Sequence, residues 1–314
     1  MAQNAPGKHH RKGLSLLELT RRFPDDATAE QWFIAQRWSN GVRCPYCDTD
    51  NVLTGAKHKT MPFRCRAKGC AKRFSVKTGT AMQSSNLGYQ TWVFATYLLT
   101  TNLKGVSSMR LHRELNITQK SAWHLAHRIR DSFVPGRAPR MAGPTEVDES
   151  FLGGLEKNKH ANKKIHAGRG AVGKTAVVGI KDRETSQVRA EVVERTDAPT
   201  LQGFVNEHRA EGATVYTDEF RAYIGLEDHE TVNHSVSQYV NGMAHTNGIE
   251  SFWSTLKRGY HGIYHHMSPK HLSRYVEEFA GRHNARPLDT IDQMGQIAAG
   301  LVGKRLRYRD LIEE

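Results

Sequence analysis

All four cysteines of this chain fall within one short window, as Cys44-Pro45-Tyr46-Cys47 and Cys65-Arg66-Ala67-Lys68-Gly69-Cys70, and no other feature constrains the fold as strongly. Each pair can close a tight loop that turns two thiolates toward one ion, and four sulfurs suit the tetrahedral preference of zinc. The 17 residues between the pairs are enough for a small ribbon whose core is too thin to fold without metal. Cys44, Cys47, Cys65 and Cys70 are therefore expected to hold structural zinc in a closed, non-catalytic site. A redox pair fits less well, because a second pair sits at ribbon spacing and no βαβ pattern surrounds Cys44. No cysteine remains for a disulfide framework, so a reducing, intracellular compartment is expected.

The chain has 314 residues and 38% hydrophobic content, which allows two or three folded modules. Lys and Arg number 45 against 32 Asp and Glu, a formal charge of +13 that favours a polyanionic partner through counterion release. Nucleic acid is the leading candidate over a membrane surface. No apolar run approaches the ~20 residues that cross a bilayer. Met1 to Leu17 begins polar and basic, so neither signal peptide nor membrane span is expected and the protein is expected to be cytoplasmic.

Five segments follow from punctuation and periodicity. Residues 1–40 form an N-terminal helical segment, with Pro24 separating two short helices. Residues 41–80 are the zinc ribbon. Around its ligands lie Arg43, Lys57, Lys59, Arg64, Arg66, Lys68, Lys72, Arg73 and Lys77, with Phe63 and Phe74 between them, a surface suited to phosphate contacts or simply to solvent. Residues 81–134 are helical, and Pro135-Gly136-Arg137-Ala138-Pro139-Arg140 reads as a linker. Residues 141–290 form an α/β domain and 291–314 a C-terminal tail.

Within the helical segment, Ser107 to Leu115 predicts a helix, Asn116 to Thr118 a turn, and Gln119 to Arg130 a second helix with Gln119, Lys120, His124, His127, Arg128 and Arg130 as polar positions. Such a helix-turn-helix-like pair can lay one helix into a DNA major groove, although a packing hairpin with a basic exterior has the same pattern. His112, His124 and His127 read as surface or groove residues rather than ligands.

In the α/β domain, Thr175 to Ile180 and Val188 to Val193 have strand composition, a helix starts near Pro199, and Val215 to Thr217 and roughly Glu230 to Val236 supply further strands. Asp148 and Asp218 each close a short β-branched run, and on a strand Glu149 faces away from Asp148. Near the end, Glu250 and Lys257 stand two helical turns apart on one face. Three acids from separate elements suit divalent magnesium and an in-line displacement at phosphorus, with Lys257 binding a phosphate. Asn247 is the rival third ligand. Asn247 with Glu250 also resembles a capping pair at a helix start.

Gly168-Arg169-Gly170-Ala171-Val172-Gly173-Lys174-Thr175 matches the phosphate-loop pattern letter for letter. That motif needs a strand before it and a helix after it. Here a polar basic stretch precedes and a strand-like run follows, so a basic loop near the substrate is the better reading.

These residues resemble insertion-sequence transposases of the DDE class with an N-terminal zinc ribbon, the ISXO-two-like group. The resemblance rests on Arg37-Trp38 with Gly41 to Cys47, on Val147-Asp148-Glu149-Ser150-Phe151-Leu152-Gly153-Gly154, and on Tyr216-Thr217-Asp218-Glu219. Its strongest part is His245-Thr246-Asn247-Gly248-Ile249-Glu250-Ser251-Phe252-Trp253, with Leu256-Lys257-Arg258-Gly259 and the positions from Tyr264 to Asn284. The resemblance implies an RNase H-like catalytic domain of α/β class, magnesium or manganese, double-stranded DNA as element ends and target, and cut-and-join chemistry at terminal inverted repeats. It leaves either Asn247 or Glu250 as the third catalytic residue. A homo-oligomer on DNA is expected. The alternatives are a zinc-ribbon DNA-binding regulator without catalysis and a metal-dependent nuclease that cuts without joining.

Overall fold

The computed structural model describes residues 12–133, 139–154, 160–164, 171–232 and 246–313. They form two compact units: one holds residues 12–102, 106–133 and 286–313, the other 103–105 and the described residues from 139 to 285.

The first unit opens with helices α1 (Leu16–Arg22) and α2 (Asp26–Arg37), separated at Pro24. Ser15 and Glu18 form a reciprocal capping box on α1, and the Asp25 carboxylate accepts from Thr28 N at 2.7 Å to start α2. The ribbon follows as three antiparallel strands, β1 (Val52–Leu53), β2 (Phe63–Cys65) and β3 (Arg73–Phe74). Its small core joins Phe63 and Phe74 to Cys44 and Cys65, with Trp38 edge-on to both phenyl rings. Phe63 and Phe74 are therefore core residues rather than part of a nucleic-acid surface. Lys77 turns inward to donate to Ser85 O and Leu87 O, while Arg64, Arg66, Lys68, Lys72 and Arg73 remain exposed.

Helix α3 (Tyr89–Thr101) is buried along most of its circumference. Helices α4 (Ser108–Leu115) and α5 (Gln119–Arg130) follow, α4 ending at Asn116 in the left-handed conformation and α5 capped by the Thr118 hydroxyl. The residues 291–314, read from the sequence as a tail, largely fold into this unit. Helix α9 (Thr290–Gly300) carries Ile291, Met294, Ile297 and Ala298 at helical spacing, and this stripe packs with Leu19, Phe33, Trp92 and Leu99 in one core. A short α10 (Tyr308–Ile312) closes the described chain.

The second unit is built on a five-stranded mixed sheet ordered β6-β5-β4-β7-β8, from β4 (Thr145–Leu152), β5 (Thr175–Asp182), β6 (Val188–Val193), β7 (Val215–Asp218) and β8 (His229–Val232). Strand β4 pairs antiparallel with β5 and parallel with β7. Alternation divides the side chains between two layers. Val147, Val178 and Ile180 pack with Leu201, Phe204 and Val205 of α6 (Ala198–His208). Leu152, Val177, Val188 and Ala190 pack with α7 (Asn247–Gly259) and α8 (Pro269–Asn284) on the other face. The expected strand near Glu230 is present to Val232, and its continuation to Val236 lies outside the described residues. Gly168 to Gly170 also lie outside them; the part that is described, Ala171 to Lys174, makes a turn straight into strand β5 rather than a helix, which removes the structural basis of a phosphate loop. No helix among the described residues is long and apolar enough to cross a membrane.

Candidate active site and metal centre

In the ribbon, the four cysteine sulfurs all lie within 4.8 Å of one another. Cys44 Sγ is 3.8 Å from Cys70 Sγ and Cys47 Sγ is 3.6 Å from Cys65 Sγ. These separations are far too long for disulfides, whose sulfurs are about 2.05 Å apart. A tetrahedral ion with metal–sulfur bonds of about 2.3 Å sets sulfur–sulfur edges of about 3.8 Å, so the donor set fits a metal such as zinc. Ala67 N donates to Cys65 Sγ at 3.4 Å, as a thiolate in a metal loop requires.

The acids gather in the second unit. The β4–β7 ladder aligns Thr145 with Val215 and Glu146 with Tyr216. Carried two residues further, the same offset sets Asp148 level with Asp218 on adjacent parallel strands and on the same face of the sheet. Helix α7 packs on that face. Asp148 and Glu250 line an open cleft of about 650 Å³ together with Trp253, Ser254, Lys257, Arg258 and His261. The α7 residues recur at helical spacing, so Glu250 and Lys257 share the stripe that borders the cleft. Burial, with the charges of Glu149, Asp218 and Glu250 added, pushes the Asp148 carboxyl up to about 7. Glu149 itself points to the opposite face, where its carboxylate accepts from Tyr223 Oη at 2.8 Å.

The start of α7 differs from the capping pair suggested by the sequence. Thr246 occupies the cap position without capping through its side chain, and its hydroxyl donates instead to Glu250 Oε1 at 2.9 Å. Asn247 is the first helical residue and is exposed; it does not line the cleft. The helix start is held from the sheet: Ile249 N donates to Glu146 Oε2 at 2.9 Å, and Glu146 Oε1 accepts from Arg183 Nε at 2.9 Å. Glu146 is only 2% exposed. A Cβ at Gly248 would lie 2.7 Å from both Glu146 Oε2 and Lys181 Nζ, so glycine there permits the approach. Gly179, opposite Asp148 in the β4–β5 ladder, admits the Trp253 ring in the same way, with a Cβ there falling 2.7 Å from it. Sequence reasoning gave Glu146 no role. Its position two residues before Asp148, hence on the same face, was the available signal.

In the helix pair, His127, Arg128 and Arg130 are polar positions of the sequence, His127 expected at the surface or groove, and the structure buries all three. The last turns of α5 face the core of the first unit. Its exposed part is the first turn, Gln119 and Lys120, beside Met109, Arg110 and Arg113 of α4. His124 is half-buried, with its ring nitrogen at 3.0 Å from Leu306 O.

Residues 140–284 match the ISXO2-like transposase domain, a span that contains the five-stranded sheet and every acid of the cleft. An uncharacterized protein in transposable element ISH50 of Halobacterium salinarum is 28% identical over 273 residues, covering 82% of this chain and 91% of that protein. The second unit is thus similar to the ISXO2-like transposase domain.

Proposed function

We propose that the protein is a DDE transposase that cuts DNA at the terminal inverted repeats of an insertion sequence and joins the freed ends to target DNA. The observation that carries this reading is that Asp148 and Glu250 line one cleft bordered by Lys257, with Asp148 raised by burial and by the nearby charges of Glu149, Asp218 and Glu250. The mixed sheet with helices on both faces supports an RNase H-like catalytic domain. Carboxylates that repel one another are a donor set suited to hard divalent cations, and Asp148, Asp218 and Glu250 would hold magnesium or manganese. When bound, such ions supply charge stabilisation to the attacking and leaving oxygens of an in-line displacement. Glu250 is preferred to Asn247 as third ligand because it borders the cleft and adds to the charge on Asp148.

The protein's own groups then position the DNA. Lys257 pairs with a phosphate oxygen beside the scissile bond, and the Glu146 anchor keeps α7, with Glu250 on it, at a fixed height above Asp148. Water attacks the phosphodiester and releases a 3′-OH, which in turn attacks a target phosphodiester and displaces its 3′-oxygen. The ribbon holds structural zinc through Cys44, Cys47, Cys65 and Cys70. With the exposed faces of α4 and α5, it binds double-stranded DNA. The active form is a homo-oligomer assembled on the element ends, acting in the cytoplasm at the nucleoid.

Labelled duplexes carrying the repeats that flank the coding region, mixed with a target plasmid and magnesium, test the reading. Asp148→Ala should abolish joined product while DNA binding persists. Unchanged joining would end the enzymatic reading, cleavage without joining in the parent protein would make it a nuclease, and binding without either would make it a regulator.

A further inference from the structure

A second, smaller cavity lies within the first unit, against the helix pair. It has a volume of about 180 Å³ and is lined by Ser84, Ser85, Asn86, Ser121, His124 and Arg128, with Leu87, Trp92 and Leu125 closing its apolar side. Arg128 is 9% exposed. Its Nε is engaged by Leu306 O at 3.0 Å and His124 Nε2 at 3.1 Å. Among the described residues, neither a carboxylate nor an acceptor engages its terminal amino groups, and the charge that acts on it is a second cation, Arg305. A buried guanidinium is costly unless a partner anion meets it. The cavity provides room for that partner and surrounds it with hydroxyl and amide donors.

The rim is made by the loop before α3, where Ser84 takes the left-handed conformation at φ 60° and both Ser84 and Asn86 are exposed. Ser121 stands in the first turn of α5, directly after the exposed Gln119 and Lys120. An anion entering here therefore arrives on the same surface that the helix pair offers to DNA.

We propose that this cavity is a seat for one DNA backbone phosphate, which pairs with Arg128 and accepts from the serine hydroxyls and Asn86 while the first turn of α5 faces the groove. The seat rests on the reading of the helix pair as DNA-binding and deepens it: phosphate contacts fix register, and this one fixes how far α5 can enter.

The test is fluorescence anisotropy of the full chain with a labelled short duplex across a range of salt. Arg128→Gln should weaken binding and lower the slope of log affinity against log salt by about 0.9, the loss of one phosphate contact. Asn86→Asp changes only an exposed rim residue, so it keeps the test alive if Arg128→Gln misfolds; its carboxylate should weaken binding in the same direction. Inorganic phosphate should raise the melting temperature of the parent protein more than that of either variant. Equal salt slopes in folded parent and Arg128→Gln proteins, or unaltered binding by Asn86→Asp, would overturn the proposal. Failure of the parent protein to bind any duplex would instead remove the DNA reading on which the seat depends. Phosphate stabilisation that needs Arg128 without any effect on duplex binding would make the cavity a free-anion site and reject a backbone seat.

Discussion

The cysteine quartet gathers its side chains from one short window of sequence, whereas the carboxylate cleft draws on distant stretches of chain, and the two differ in what surrounds them. The four sulfurs close on one point, within 4.8 Å of one another, and the ribbon has little else to hold it: Phe63, Phe74 and Trp38 around the ligands. The carboxylates stand on a preformed scaffold of five strands and two packed helices and face an open cleft. Thiolates that converge without leaving a free position make a metal part of the fold. Carboxylates on a rigid sheet with space beside them leave room for a substrate.

The largest expected effect breaks this comparison if it fails. Stripping metal from the cysteines, by chelation or by Cys44→Ser, removes a contribution of about 10 kcal/mol to the ribbon. Amide exchange at Cys65 and Phe74 should become fast, while the strands of the second unit keep their protection. Withdrawing magnesium should leave exchange in both units as it was and abolish joining alone. A ribbon that stays protected after its metal is gone would mean that its aromatic core suffices, and the contrast would be lost.

Next in size is the choice of the third acidic ligand. Glu250→Ala should lose joined product as fully as Asp148→Ala, whereas Asn247→Ala should retain most of it, because Asn247 is exposed beside the cleft rather than within it. The reverse outcome would move the ligand set by almost a helical turn.

A smaller effect probes the scaffold. Gly248→Ala would force a methyl against Glu146 Oε2 and Lys181 Nζ, so either these side chains, with the bond from Glu146 to Ile249 N, or the N-terminus of α7 must shift. The cost in stability is expected to be about 1–3 kcal/mol. Displacing Glu250 by about 1 Å should slow joining roughly a hundredfold with duplex binding intact. Slower joining with no loss of stability, or the converse, would separate the anchor from the chemistry.

What could be read from the chain divides along similar lines. The cysteine quartet, the strand ending at Asp218, the order of elements through β8 and the helix pair around Asn116 are local patterns, and each is found in the described structure where the sequence suggested it, whereas the strand expected to close at Asp148 runs on to Leu152. Glu146 holding α7 is a contact across about a hundred residues and the burial of α9 against α3 one across about two hundred; the apolar stripe on α9 is periodic, but a local pattern does not name its distant partner. The burial of His127 was misread because polarity was taken as exposure, and polarity gave no sign that Arg128 and Arg130 are buried. In the last turns of α5 the core demands the face on which those residues fall. The roles of the site residues therefore rest on the experiments above, while their neighbourhood is a matter of the fold.

The smallest prediction separates the stability of the sheet from the charge in the cleft. On the face away from Asp148, His208 Nε2 at the end of α6 lies 3.4 Å from Glu191 Oε1 on β6. Burial works against a charged His208, but its bond to Glu191 prevails and raises its pKa above 6.5; the same bond lowers Glu191 below 4.5 despite burial. The histidine contribution is complete below its unfolded pKa of about 6.5 and is lost as pH rises through its higher folded value. The glutamate contribution is complete above its unfolded pKa of about 4.3 and is lost as pH falls through its lower folded value. Glu191 is 56% exposed, so screening limits the pair to at most about 1 kcal/mol. His208→Gln should therefore lower the melting temperature between about pH 4.5 and 6.5 and have a fading effect above that range. The joining rate at fixed magnesium should be unaltered, because the pair lies across the sheet from the acids. A change in joining as large as that in stability would mean that the two faces of the sheet are coupled, and that the cleft is less rigid than the comparison with the ribbon requires.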